Sequence, residues 1–115
     1  MSKKLHPVIS VRVFNDQKCF GPGIAELLHA VDEYHSLRAA AKSMEMAYSK
    51  AWTIVNNSEK NLGLSLLESS TGGKNGGGAT LTDDGRRFLE AYESYRKKLL
   101  EYGDSIFEEE FKTFI

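Results

Sequence analysis

The sequence predicts an α+β domain, mainly α-helical, that combines an N-terminal β-hairpin, a helix-turn-helix and a long C-terminal helix. Three patterns support this fold class. Two short amphipathic segments adjoin near residue 46, as in a helix-turn-helix. A glycine-rich stretch separates two short strand-like segments within residues 64–81, as in a hairpin. Apolar side chains recur every three or four residues over 88–106, as in a helix that packs against a partner helix.

The N-terminal hairpin is predicted from composition. Residues 8–14 are rich in β-branched side chains, and Asn15 and Asp16 supply turn chemistry before residues 18–20. The sequence Gly-Pro-Gly at 21–23 then ends the hairpin and starts a first helix. One face of that helix carries the apolar side chains of Ile24, Leu27, Leu28, Val31 and Tyr34.

A pair of amphipathic helices is predicted over residues 36–62. Ser36 is a suitable N-cap for the first of the two, and Gly63 suits the left-handed end of the second. A tight connection is expected at Met46 and Ala47. In the first of these helices the apolar face consists of Leu37, Ala40, Ala41 and Met44.

The helix predicted over residues 48–62 has a polar outer face with few charges. At about 100° per residue, Ala51, Val55 and Leu62 fall on one narrow arc. The opposite arc carries Ser49, Thr53, Asn56, Asn57 and Lys60. Hydrogen-bonding groups of this kind are what a helix needs to contact base edges. Trp52, on the flank, is interpreted as a core aromatic that packs this helix on the first, with a contact to a sugar–phosphate backbone as the alternative.

Two strands are predicted around a loop with five glycines. Residues 64–68 and 79–81 flank the stretch 71–78, which contains Lys74 and no large apolar side chain. One or two glycines suffice for a hairpin, so five favour a backbone that lies against a phosphate strand or enters a minor groove. A loop tip without function is the alternative. A nucleotide-binding phosphate loop is disfavoured, because Asn75 follows Lys74 and a strand comes next.

A long last helix is predicted from residue 83, with Thr82 as its N-cap. Gly103 is expected to interrupt it, and Asp104 to cap a short final helix. The apolar side chains recur at spacings of 4, 3, 4, 3 and 4, a seam too long for so small a domain to cover. We therefore expect a homodimer, with a helix that folds back on its own hairpin as the alternative. The expected dimer interface consists of Phe88, Tyr92, Tyr95, Leu99, Tyr102 and Ile106.

Composition is that of a soluble cytoplasmic protein. Of the 115 residues, 41% are hydrophobic and 27% charged, and the single Cys19 excludes an internal disulfide framework. We expect residues 1–82 to form the helix-turn-helix domain and residues 83–115 the dimerisation helix and tail.

The net charge of −1 argues against binding driven by phosphate attraction alone. His29 and His35, six residues apart, do not suit one helical face and are interpreted as solvated or capping side chains rather than metal ligands.

Two motifs give the chain a resemblance to a known family. They are Tyr-Ser-Lys-Ala-Trp at residues 48–52 and Thr-Gly-Gly-Lys-Asn-Gly-Gly-Gly at residues 71–78, with Ser-Leu-Arg-Ala-Ala-Ala-Lys-Ser-Met at 36–44 before them. At this spacing they resemble the N-terminal DNA-binding domain of ModE-type molybdate-responsive regulators. These are winged helix-turn-helix relatives of the LysR-type regulators. The similarity covers roughly residues 21–92, most of the chain.

The resemblance implies a DNA-binding transcription regulator that is linked to molybdenum metabolism. With the homodimer expected from the last helix, the leading hypothesis is a sequence-specific regulator that binds double-stranded DNA as a dimer. Its third helix would enter the major groove, and its glycine-rich wing would lie on the backbone or the minor groove. From the polar arc, the glycine-rich loop and the resemblance together, the expected DNA-binding residues are Arg38, Tyr48, Ser49, Lys50, Thr53, Asn56, Asn57, Lys60, Thr71, Lys74 and Asn75. Regulators of this type carry molybdate-binding domains after the long helix, whereas this sequence ends at Ile115. We therefore expect no cofactor and no molybdate site in this chain. A sensor on a separate chain is one alternative.

Two other functions are compatible with the same residues. The glycine-rich loop is suited to bind an oxyanion through a nest of backbone amides, and a winged helix can serve as a protein–protein adaptor. Salt-dependent DNA binding distinguishes a regulator from both. An enzyme is not expected, because the sequence presents no nucleophile–base pair and no paired carboxylates in a suitable context.

Overall fold

The computed structural model describes residues 4–70 and 78–115. Within these residues the chain forms four α-helices, two antiparallel hairpins and a final 3₁₀ turn. In chain order they are β1 (Val13–Phe14), β2 (Lys18–Phe20), α1 (Pro22–Tyr34), α2 (Leu37–Ser43), α3 (Tyr48–Leu62), β3 (Leu67–Ser70), β4 (Gly78–Leu81), α4 (Asp83–Glu110) and the turn Lys112–Phe114. The mainly α-helical α+β class predicted from the sequence is confirmed. No helix in the described part of the chain is both long and apolar enough to cross a membrane.

The N-terminal hairpin is present but shorter than predicted. Strand β1 starts at Val13, five residues later than expected, and pairs with β2 with an irregularity between Val13 and Phe14. The amide of Gln17 donates to the Asn15 side chain at 2.9 Å and closes the turn. Ahead of the strand, the carbonyl of Val11 accepts a hydrogen bond of 2.8 Å from the Tyr92 hydroxyl on α4. The segment before β1 is therefore held by the last helix rather than by a strand partner.

The core surrounds α1 and takes buried side chains from the first hairpin, α2, α3, β4 and the start of α4. Phe20 is fully buried, and its ring lies 4.7 Å from that of Phe88 and 4.9 Å from that of Tyr92. Helix α1 contributes the buried side chains of Ile24, Ala25, Leu27, Leu28 and Val31. Tyr34, predicted on the same face, is 47% exposed. Tyr34 is the last residue of α1, and His35 follows it as the C-cap with a left-handed φ of 57°.

The helix-turn-helix consists of α2 and α3. The Ser36 hydroxyl caps α2 by accepting from the amide of Ala39 at 3.0 Å, and Gly63 ends α3 with a φ of 72°; both predictions are confirmed. Between the helices, Glu45 takes a left-handed φ of 53°, and the Met46 amide donates to the carbonyl of Ala41 at 2.9 Å. The turn is thus fixed by backbone hydrogen bonds.

Helix α4 runs unbroken through Gly103, so the predicted interruption was wrong. The Thr82 hydroxyl caps the helix as predicted, accepting from the Gly85 amide at 2.8 Å. A Cβ on Gly103 would lie 2.9 Å from Cδ1 of Ile9. The glycine therefore lets the N-terminal segment pack against the helix, and the modest helix penalty of one glycine does not break so long a helix. Asp104 consequently lies within α4 and caps nothing.

Candidate nucleic-acid interface

The outer arc of α3 is free of packing contacts with the core. Ala51, Val55 and Ser58 are buried and Leu62 is half-buried, which places the opposite arc in solvent. All five side chains predicted on the outer arc are exposed, namely Ser49, Thr53, Asn56, Asn57 and Lys60, and so is the neighbouring Lys50. The Thr53 hydroxyl donates to the Ser49 carbonyl at 2.9 Å, which leaves its oxygen lone pairs and methyl group at the surface.

Hydrogen bonds fix α3 to the N-terminal hairpin. The buried Ser58 hydroxyl donates to the Cys19 carbonyl at 2.7 Å, and the Asn61 side chain donates to the Lys18 carbonyl at 3.0 Å. In return, the Asn15 side chain donates to the Asn61 carbonyl at 2.8 Å. These bonds join residues about forty positions apart, so the direction in which the outer arc points is set by the fold and not by α3 alone.

A second set of contacts fixes α3 to the hairpin formed by β3 and β4. The Glu59 carboxylate accepts from the backbone amides of Leu66 at 2.7 Å and Leu67 at 3.2 Å. On the far side, the amide of Ala79 in β4 donates to the His35 carbonyl at 3.0 Å. Strands β3 and β4 pair in antiparallel register, with Leu67 opposite Leu81. The hairpin is thus held beside α3 at its base, while Thr71, Lys74 and Asn75 lie outside the described residues.

Trp52 is exposed, and the core position favoured from the sequence was wrong. Its side chain is 54% accessible, on the flank of α3 that faces β3 and β4. Helix α3 is joined to the core by smaller groups, Ala51, Val55 and Ser58, so no large aromatic is needed there. Trp52 lies along a groove that also contains Arg38.

The groove separates Asn56 from Asn57, the two asparagines predicted on the outer arc of α3. Asn56 lines it, whereas Asn57 lies on the other flank, near Lys18 and Asn61 of the hairpin junction. Sequence reasoning did not select Ser69 and Glu68, which the structure places in the groove from β3. Their positions depend on a strand that begins at Leu67, three residues later than the apolar run suggested.

The seam predicted on α4 divides into a buried part and an exposed part. Phe88 is half-buried and Tyr92 is 4% exposed, and both pack on Phe20 of the same chain. Leu99 is half-buried against the core. Beyond the core the stripe is open: Tyr95 is 60%, Tyr102 66% and Ile106 40% exposed. Phe88 and Tyr92 are therefore core side chains, and only the later positions present an apolar surface.

Charged side chains join α1 to α4 away from the α3 surface. The Arg86 guanidinium donates to the Asp32 carboxylate at 2.7 Å, and this hydrogen bond lowers the pKa of Asp32. His29 Nε2 lies 2.6 Å from Glu93, so His29 contacts a carboxylate on α4. Burial raises the pKa of the Tyr92 hydroxyl. No cluster of three or more metal-ligating side chains occurs among residues 4–70 and 78–115.

A helix-turn-helix followed by a two-stranded hairpin, with its second helix exposed along a polar arc, defines the winged helix-turn-helix class of domain. Residues 25–86 match the family described as bacterial regulatory helix-turn-helix protein, lysR family. The match covers more than half of the chain. The chain belongs to the LysR family of helix-turn-helix proteins.

Within this family, the chain is similar to regulators named ModE. The chain is 38% identical over 72 residues to the transcriptional regulator ModE of Haemophilus influenzae, a match that covers 63% of this chain and 28% of the relative. It is 36% identical over 78 residues to the DNA-binding transcriptional dual regulator ModE of Escherichia coli, covering 67% of this chain and 30% of that protein. The chain therefore spans less than a third of the length of these relatives. The resemblance to ModE-type regulators seen in the sequence is confirmed.

A solved structure of a complex between CbnR_DBD and DNA has a similar fold. It superposes with a TM-score of 0.57 at 28% identity, over 72% of this chain and 90% of that chain. The described fold therefore matches nearly the whole of that domain.

Proposed function

We propose that this chain binds double-stranded DNA as the DNA-binding domain of a ModE-type transcription regulator, with α3 in the major groove. The observation that carries the proposal is the outer arc of α3: five exposed polar side chains, with Lys50 beside them, on a helix whose other face is fixed to the core. A major groove about 12 Å wide admits one helix. Ser, Thr, Asn and Lys side chains are the groups that hydrogen-bond base edges there.

The hydrogen bonds that hold α3 in place support the same function. Bonds from Ser58 and Asn61 to the N-terminal hairpin, and from Glu59 to the start of β3, hold the helix from both sides. A helix held in this way loses little conformational freedom on binding, which favours affinity. The related domain solved with DNA, CbnR_DBD, and the relatives named as regulators support the choice of DNA as the partner.

The glycine-rich stretch at 71–78 is proposed to act as the wing. It contains Lys74, Asn75 and Thr71, which the sequence places beside five glycines. The strands β3 and β4 on either side of it form a paired hairpin next to α3, at the edge of the groove that Trp52 and Arg38 border. We assign its residues to the DNA backbone or the minor groove, where small side chains permit close approach.

We further propose that the chain binds as a homodimer through the exposed part of α4. A helix of 28 residues is about 42 Å long, and its apolar stripe continues past the core through Tyr95, Tyr102 and Ile106. Contiguous apolar surface of this kind marks an interface. A symmetric pair would present two α3 helices to half-sites about 34 Å apart, or a multiple of that distance. The operator is then expected to be an inverted repeat.

Binding to duplex DNA over a series of salt concentrations tests the proposal. The chain carries a net charge of only −1, so non-specific binding should be weak, and one sequence should be preferred over random duplex. Because phosphates release counterions when they are neutralised, affinity should fall linearly with the logarithm of salt concentration. Absence of any salt-dependent DNA binding by wild type would contradict the proposal.

A further inference from the structure

A groove runs between the first turns of α3 and the hairpin of β3 and β4. Its base consists of the buried or half-buried apolar side chains of Leu37, Val55, Leu67 and Ala79. Exposed side chains border it, namely Arg38, Tyr48, Trp52, Asn56, Glu68 and Ser69. Both of the aromatic rings are open to solvent, Tyr48 to 39% and Trp52 to 54%. The groove therefore combines an apolar base with an aromatic and polar border.

Arg38 is held in a defined position at this border. Its guanidinium carbon lies 4.1 Å from the centre of the Tyr48 ring, the geometry of a cation–π contact. Arg86, Arg87 and Arg96 are each paired with a carboxylate. Arg38, in contrast, has no ion-pair partner among residues 4–70 and 78–115. A stacked guanidinium keeps its in-plane N–H donors available, which suits a phosphate oxygen.

Two carboxylates line the groove, and one of them is already hydrogen-bonded within the protein. The Glu59 carboxylate already accepts from the amides of Leu66 and Leu67, so it serves the attachment of β3. Glu68 is exposed on β3. Among residues 4–70 and 78–115, the charged side chains at the groove without an ion-pair partner or amide bonds are Arg38 and Glu68. An anionic strand would therefore have to pass on the Arg38 side.

Trp52 adds an apolar surface at the same border. It is the only tryptophan of the sequence, and its ring is 54% exposed at the groove. Along α3 it lies on the flank next to the outer arc, toward the hairpin. An indole can pack on the face of a deoxyribose and donate one N–H to a phosphate oxygen.

We propose that this groove takes one sugar–phosphate strand of the DNA, with Arg38, oriented by Tyr48, on a phosphate and Trp52 against the adjoining sugar. The inference rests on the proposed function. When a helix enters the major groove of DNA, the two strands that border the major groove lie along the flanks of the helix. The protein groove beside α3 lies along one of these flanks. Arg38 and Trp52 then contact the strand, and Tyr48 is a positioning residue that acts through Arg38.

The test compares variants on a random-sequence duplex over a salt series, because backbone contacts do not depend on sequence. Arg38→Ala should reduce the slope of log affinity against log salt by about 0.9, the value of one phosphate, and weaken binding by about tenfold. Tyr48→Leu keeps the charge and loses the ring, so its slope should stay at the wild-type value while affinity falls about two- to fivefold. Tyr48→Phe keeps the ring and is the matched control.

A double variant distinguishes a role of Tyr48 that acts through Arg38 from a purely structural role. If Tyr48 acts through Arg38, Tyr48→Leu should have no further effect on affinity in an Arg38→Ala background. Equal losses in both backgrounds, or a wild-type salt slope for Arg38→Ala, would overturn the assignment. Each variant should unfold at the wild-type temperature, and thermal unfolding is the measurement that checks that the fold is retained.

The fluorescence of Trp52 gives a direct measure that needs no label. Acrylamide should quench the exposed indole in the free protein, and saturating duplex should protect it from quenching. Unchanged quenching in the complex would show that Trp52 stays in solvent and would refute the groove assignment. That result leaves the proposed function intact, whereas a wild-type chain that binds no duplex contradicts the proposed function itself.

Discussion

Replacing the two most exposed aromatic side chains on the α4 stripe should separate a dimer into folded monomers. Tyr95 and Tyr102 are 60% and 66% exposed in the single chain, so Tyr95→Glu/Tyr102→Glu removes little that the domain itself needs. Leu99 is a poorer target, because it is half-buried against the core.

The exposed fractions set the size of the effect. Burying a large side chain completely is worth about 1.5–3 kcal/mol. Scaled by the exposed fractions of Tyr95 and Tyr102 and counted for two protomers, the pair contributes about 4–8 kcal/mol to association. Losing even the lower value raises the dimer dissociation constant roughly a thousandfold. Association itself costs several kcal/mol, so the variant should be monomeric at every practical concentration.

Sedimentation velocity at several concentrations measures this directly. The matched control is Ser94→Glu/Ser105→Glu, which adds the same charge at exposed positions of α4 that lie off the stripe. The control should sediment as the wild-type dimer, and the double tyrosine variant as a monomer with the wild-type unfolding temperature. A wild type that is monomeric at micromolar concentration, or a tyrosine variant that stays dimeric, would refute the reasoning.

Two further predictions concern stability. A Cβ on Gly85 would lie 2.3 Å from the Leu66 carbonyl oxygen, so Gly85→Ala should destabilise by about 3 kcal/mol, since the blocking atom belongs to the backbone. Gly23→Ala is the control, because the Cβ there meets nothing within 4 Å. Equal free energies of unfolding for the two variants in urea would contradict the account. Arg86 lowers the pKa of Asp32, so their interaction stabilises the folded state above the usual aspartate pKa of about 4 and is lost as pH falls through the lowered value. The free energy of unfolding of wild type and of Asp32→Asn is measured as a function of pH. The difference between the two free energies should be constant above about pH 5 and shrink below it. A difference independent of pH would contradict the assignment.

The helices and their faces were predictable because short-range periodicity and capping define them. The outer arc of α3 and the caps at Ser36, Gly63 and Thr82 all follow from residues within a few positions of one another. Each of these predictions depends on a pattern that a single helix carries by itself.

The errors occur where distant parts of the chain meet. Trp52 appeared to be a core residue because large aromatic side chains are usually buried, but burial depends on what lies opposite, and β3 and β4 leave a groove there. Gly103 appeared to break α4, but Ile9, more than ninety positions away, packs against it. The segment before Val13 is no strand, because the Val11 carbonyl bonds to Tyr92. No local pattern contains these contacts.

The central claim is that α3 contacts bases, and its most direct test is a comparison of specific and random DNA. The duplex that wild type selects best from a randomised library serves as the operator. Ser49→Ala/Lys50→Ala/Thr53→Ala should weaken binding to it by about 1–3 kcal/mol for each side chain that contacts a base, and weaken binding to random duplex much less. The control Ser94→Ala/Lys97→Ala/Ser105→Ala, which changes the same kinds of exposed side chain on α4, should keep wild-type preference. A triple variant of α3 that still prefers the operator as strongly as wild type would contradict the account.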